Sequence, residues 1–251
     1  MHIRDTPISR ERLDLLGSLG AALLLLSGCN PSSIAEKPAS ETQHDISGMW
    51  RFDFPPKSKD EAPLTPAAAE ALKAHKDAQE HGQVRSAANM KCLPPGMPVM
   101  MELRPLIQFV QAPGRIIALS ENSPIPRYIY LDQKEQPKEV DPSWNGHSIG
   151  KWDGDTLVVD TISFEERSNR LNLAGISHSP MLHITERIHL DENRQVLYDD
   201  MTFEDPATFT KPWTLTYKYF RMASNSESLE SVCEVDLEAL EQLKAEGLPT
   251  D

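Results

Sequence analysis

The sequence is short of cysteine, of positive charge and of long apolar runs, and each shortage closes a class of function. Its three cysteines form no CxxC or CxxCH pattern, and no HExxH is present. A standard zinc centre, an attached haem c and a thioredoxin-like dithiol are therefore not indicated, and no metal or cofactor is expected. Lys and Arg number 25 against 38 Asp and Glu, a formal net charge of −13. Such a chain repels polyanions, so nucleic acid is not expected as a partner. The apolar run through Leu15, Leu16, Leu19, Ala21, Ala22 and Leu23 to Leu26 is too short to span a bilayer comfortably. There is no internal repeat, and helices do not alternate with strands.

What is present begins with that apolar run. Arg4, Arg10 and Arg12 stand ahead of it, mixed with Asp5, Glu11 and Asp14, and it ends in Leu26-Ser27-Gly28-Cys29. A basic segment, an apolar segment and small residues in this order make an export signal over residues 1–28. The last four residues resemble the lipobox of bacterial lipoproteins, which implies cleavage before Cys29 and a diacylglycerol on its sulfur. The resemblance thus implies a lipid anchor in the bacterial cell envelope. Asn30, where Asp would imply retention at the inner membrane, implies the outer membrane facing the periplasm. Residues 29–44, rich in Ser, Pro, Glu and Ala, read as a flexible tether.

The three basic and three acidic residues of the signal cancel, so the mature chain keeps its charge. Residues 225–251 carry eight acidic side chains against Lys244 alone, which reads as a solvated acidic C-terminal helix and tail over 236–251. Residues 45–235 between tether and tail are enough for one domain with a sizeable core. Cys92 and Cys233 remain, and an oxidising compartment predicts that they form a disulfide. Closing so long a loop is worth about 4–5 kcal/mol in the chain-entropy model.

Ile46 to Phe54 alternates apolar and polar positions, the period of a half-buried strand. It contains Gly48-Met49-Trp50, a Gly-x-Trp feature shared with lipocalin-like barrels, where the Trp closes one end. Thr65 as cap, Pro66 at the first position and Ala67 to Glu80 predict a helix. Strand signals then recur over Leu106–Gln111, Arg115–Glu121, Arg127–Asp132, His147–Trp152, Asp155–Phe164, Met181–Leu190, Gln195–Glu204 and Trp213–Arg221. Short connections predict a mainly β chain: an antiparallel, lipocalin-like barrel with one helix on its N-terminal side and a short C-terminal helix over Asp236–Glu246.

Several blocks resemble a large family of exported bacterial proteins. They are Gly146-His147-Ser148 through Lys151-Trp152-Asp153-Gly154-Asp155-Thr156 to Asp160-Thr161, then His178-Ser179, Glu186-Arg187, Asp205-Pro206, Thr210-Lys211-Pro212-Trp213, and Cys92-Leu93-Pro94-Pro95-Gly96 with Cys233. The resemblance spans residues from about 90 to 235. It implies export and a single β-rich domain, and it supplies no reaction.

Two constellations carry candidate chemistry. A two-residue loop at Asp153-Gly154 would place His147 opposite Asp160, an imidazole whose tautomer a carboxylate fixes, as a general base requires. A structural hydrogen bond is the commoner use of such a pair. Glu186 interrupts the apolar face Leu182-Ile184-Glu186-Ile188-Leu190, so it is either paired with an internal cation such as Arg127 or Arg115, or used as an acid. Trp50, Tyr128, Tyr130, Trp152 and Trp213 offer flat apolar surface, with His178 on a loop beside them, although aromatic core packing is the commoner role. The leading expectation is a barrel pocket for a hydrophobic or amphipathic small molecule. One alternative is an isomerase, cyclase or hydrolase using His147, Asp160 and Glu186 in that pocket, and another is an envelope interaction or assembly module. An empty apolar cavity, a wet polar cavity and a packed interior distinguish the three.

Overall fold

The computed structural model describes residues 44–81, 92–103, 106–165, 170–230, 232–235 and 237–245. The expected export signal, Cys29, the tether to residue 43 and the end of the acidic tail lie outside the described residues.

Nine strands appear where the alternation marks them: β1 (Gly48–Phe52), β2 (Ile107–Ala112), β3 (Arg115–Ser120), β4 (Arg127–Tyr130), β5 (His147–Asp153), β6 (Thr156–Ile162), β7 (His183–Leu190), β8 (Val196–Glu204) and β9 (Trp213–Arg221). Helix α1 (Pro66–Glu80) starts as its sequence predicts, with the Thr65 side chain accepting from the Ala68 N–H at 3.2 Å. Helix α2 (Leu237–Ala245) is the short C-terminal helix. Cys92 and Cys233, separated by 141 positions, are joined by a disulfide with their Cα atoms 5.7 Å apart.

The strands close into one barrel in chain order. Eight of the nine neighbour pairs are antiparallel, and β4 runs parallel to β5. This corrects the expectation of a wholly antiparallel barrel, for a reason that is purely topological. Each antiparallel contact reverses direction on a walk around the ring, and the walk must return to its starting direction. The number of antiparallel contacts is therefore even, so a ring of nine needs a parallel pair. A parallel pair in turn needs a crossover, which residues 131–146 supply.

Trp50 is fully buried where β1 meets β9. Its indole Nε1 donates to the Ile46 carbonyl at 3.1 Å, and the Arg221 guanidinium lies over the ring, 4.1 Å from its centroid. Arg221 is itself held by Nε donating to the Arg194 carbonyl at 2.7 Å and Nη1 donating to the Ser47 carbonyl at 3.0 Å. Gly48, at φ +135°, makes room for this arrangement, since a Cβ there would stand 2.6 Å from Arg221 Nη1.

Small eight-stranded barrels are just wide enough for side chains to fill, and width grows with strand number. Here a chain segment adds to the filling. Met97, Val99, Met100, Met101 and Glu102, around a single 3-10 turn, are all buried. Tyr219 donates its hydroxyl to the Met101 carbonyl at 2.9 Å, Tyr217 donates to Glu102 Oε1 at 3.0 Å, and the Leu173 N–H donates to Glu102 Oε2 at 2.8 Å. Burial pushes the Glu102 carboxyl up, against the lowering effect of those bonds.

Candidate functional site

The β5–β6 hairpin decides where the candidate dyad falls. Asp153 pairs with Thr156, so the two loop residues are Gly154 and Asp155 rather than Asp153 and Gly154. Gly154 takes φ +58° and Asp155 is not at positive φ, the pattern of a turn that needs glycine only at its first loop position. The register therefore moves, and His147 faces Ile162 while Asp160 faces Ile149. The expected direct opposition of His147 and Asp160 is corrected. The two residues still share the outer face, because each lies an even number of positions from the pair Ile149–Asp160.

The crossover fills the gap between them. Gln136 lies over the outside of the hairpin, where its Nε2 donates to Asp160 Oδ1 at 2.8 Å and to the Asp160 carbonyl at 3.0 Å. Its Oε1 then faces His147 Nδ1 at 2.9 Å. Asp160 can only accept, which fixes the amide orientation and makes Nδ1 the protonated nitrogen of a neutral His147. His147 Nε2 carries no hydrogen bond among the described residues. Burial lowers the His147 pKa, which favours the neutral imidazole. Tyr130 stacks on its ring with centroids 5.2 Å apart.

The histidine that meets Asp160 directly is His183. Its Nε2 lies 2.7 Å from Asp160 Oδ2, and its Nδ1 lies 3.0 Å from Oε2 of Glu204, its cross-strand neighbour. Both partners are carboxylates, so both ring nitrogens must donate and the bound form is the imidazolium. Burial opposes the charge, but the bonds and charges of Asp160 and Glu204 outweigh it and raise the pKa. His183 is a clamped cation with no nitrogen left to take a proton.

Glu186 faces inward and is fully buried, as is Arg127. Arg127 Nη1 donates to Glu186 Oε1 at 2.8 Å, and Nη2 donates to Oε2, a bidentate pair. The same guanidinium reaches Ser148 Oγ at 3.2 and 3.3 Å and Thr161 Oγ1 at 3.2 Å, and those two hydroxyls bond to each other at 2.9 Å. Burial works against the Arg127 charge and the Glu186 carboxylate more than restores it. Of the two cations named from sequence, Arg127 is the partner.

The aromatic candidates do not converge. Trp50 is in the core, and Trp213 packs on Phe203 and Phe209 and donates Nε1 to the Asp60 carbonyl at 3.2 Å. Trp152 stacks on His44, with centroids 4.8 Å apart. His178 is buried edge-on to Phe164, with Nδ1 2.9 Å from the Ser179 carbonyl. Tyr128 and Tyr130 alone meet another candidate, stacking side by side next to His147 on the outer face. Sequence reading passed over Gln136 and Asp199. Gln136 sits in an irregular connection and gave no signal. Asp199 did, because it interrupts the inward row Leu197, Met201 and Phe203 as Glu186 interrupts its own.

Fold and site together define a closed mixed β-barrel whose interior is occupied by its own side chains and whose accessible titratable groups run along the outer wall. No protein-family model matches the chain, and no curated protein is similar to it.

Proposed function

We propose that the chain is a lipoprotein of the bacterial envelope, acylated on Cys29, whose lipocalin-like barrel serves as a solid interaction module. The reading of the fold as lipocalin-like draws on the Gly-x-Trp feature at Gly48–Trp50 and is supported by Arg221 lying over the Trp50 ring. The export and anchor reading rests on residues 1–29 and their lipobox resemblance. The single observation that carries the functional reading is the filled interior. Inward side chains from strands around the ring, Phe109, Ile116, Ile129, Ser148, Val159, Glu186, Asp199 and Tyr217 among them, are exposed by no more than 1%. A ligand among them would have to displace Met97–Glu102. Partner contact then falls to the outside, where Tyr128 is 39% exposed beside Tyr130 and the His147–Gln136–Asp160–His183–Glu204 chain.

Titration with a hydrophobic fluorescent probe tests this directly. A solid module gives no saturable uptake, whereas one-to-one uptake that a Met100→Ala variant strengthens would overturn the reading in favour of an internal carrier. The enzyme reading is favoured by one observation, the open Nε2 of a His147 whose tautomer Gln136 fixes. It would use His147 as base with Asp160 acting through Gln136, without Glu186, which is sealed inside.

A further inference from the structure

The barrel interior holds more acid than base. Facing inward from β4 is Arg127, from β7 Glu186, from β8 Asp199 and from β9 Tyr217 and Tyr219, with Glu102 entering from the 3-10 segment. Ser148 and Thr161 contribute hydroxyls from β5 and β6, and Asp200, next to Asp199 in β8, points outward, where Thr216 donates to it at 2.6 Å. Glu186 takes both forks of the only buried guanidinium among the described residues. Asp199 lies diagonal to Glu186 across the β7–β8 ladder, since Ile188 faces Asp199 and Glu186 faces Met201. It has no exposed surface, and neither of its oxygens meets an N–H or O–H donor. An ionised carboxylate in that position would be an uncompensated buried charge beside another negative one, which is prohibitively costly.

One proton removes the conflict. Asp199 and Glu186 share the inner face of the β7–β8 ladder, both fully buried, but two carboxylates can only accept from a donor. We propose that Asp199 is a neutral carboxylic acid in the folded barrel and donates its proton to Glu186, so that the interior triad of Arg127, Glu186 and Asp199 is electrically neutral. Burial first, and then the Glu186 charge, raise the Asp199 pKa well above its ordinary value, while Arg127 opposes them. Folding therefore takes up a proton. Above the unfolded aspartate value of about 3.9 and up to the folded value, the folded state holds one more proton than the unfolded state. Over that window this group lowers the folding equilibrium constant about tenfold per pH unit as pH rises. Below the window the contribution is constant. Through Asp199 the barrel is thus tightened by acid and loosened by base within that window.

Two measurements test this on the purified full chain. Infrared spectroscopy at neutral pH should show a protonated-carboxyl carbonyl band that shifts when aspartate alone is labelled with carbon-13 in its carboxyl group. A missing band overturns the proposal, as does one that shifts only with labelled glutamate, which would place the proton on Glu186 or Glu102. Urea unfolding of wild type and Asp199→Asn across pH 4 to 8 gives the second reading. Asparagine can still donate to Glu186, so the variant should gain on wild type by about tenfold in folding constant per pH unit within the window. Parallel curves would overturn the proposal. Should Asp199→Asn not fold, the isotope experiment on wild type decides alone.

Discussion

Arg127 binds side chains on three other strands from a single position on β4, and its removal would leave Glu186 sealed in the core without a cation. Breaking a buried pair by deleting one partner costs about 3–5 kcal/mol, while replacing both by apolar groups is often close to neutral. Arg127→Met should therefore lose about 3–5 kcal/mol in urea unfolding, and Arg127→Met combined with Glu186→Leu should recover most of it. Equal losses in the two variants would show that packing, and not charge, sets the cost. This pair was half legible in the sequence. A carboxylate among Leu182, Ile184 and Ile188 announces its need for an internal cation, but which arginine answers depends on how far the ring curls. Asp199 carried the same signal and could have been found by the same rule. Gln136 could not, because hydrogen bonding by a loop amide has no periodicity to betray it.

Among elements, β1 is where a small change should be most visible. An alanine at Gly48 would have to adopt φ +135° and press its Cβ on an Arg221 already held by two carbonyls and by Trp50. We expect Gly48→Ala to cost about 1–3 kcal/mol in thermal unfolding and to change Trp50 fluorescence. Gly154→Ala is the control, since nothing lies within 4 Å of its Cβ and the tight turn alone bears the cost. Unchanged emission in Gly48→Ala would refute the tight packing of Arg221 between Gly48 and Trp50. The strands and α1 were legible because alternation and the Thr65-Pro66 start are local. The β5–β6 register was misread because Asp-Gly and Gly-Asp are both good loops, and only the folded sheet selects which pair flanks the turn.

For the whole molecule, the Cys92–Cys233 bond ties the chain before β2 to the chain after β9. Alkylation of the unreduced protein should label neither cysteine, and Cys92→Ser should lower stability by up to about 4–5 kcal/mol; quantitative labelling of both would refute the bond. The odd strand count has a further consequence. Antiparallel ladders run without a break from β5 through β9 and β1 to β4, so the ring is one sheet with a single parallel seam. At the β4–β5 seam the backbone ladder is brief, pairing Ile129 with Ser148 and Tyr130 with Ile149. Side chains cross it instead: Arg127 from within, to β5, β6 and β7, and Tyr130 from outside, stacked on His147. If that seam parted, β4 and β5 would each present a row of unpaired amides and carbonyls, a template for strands of neighbouring molecules. The buried arginine and the stacked tyrosine thereby keep two potential edges paired, closed to the strands of neighbouring molecules.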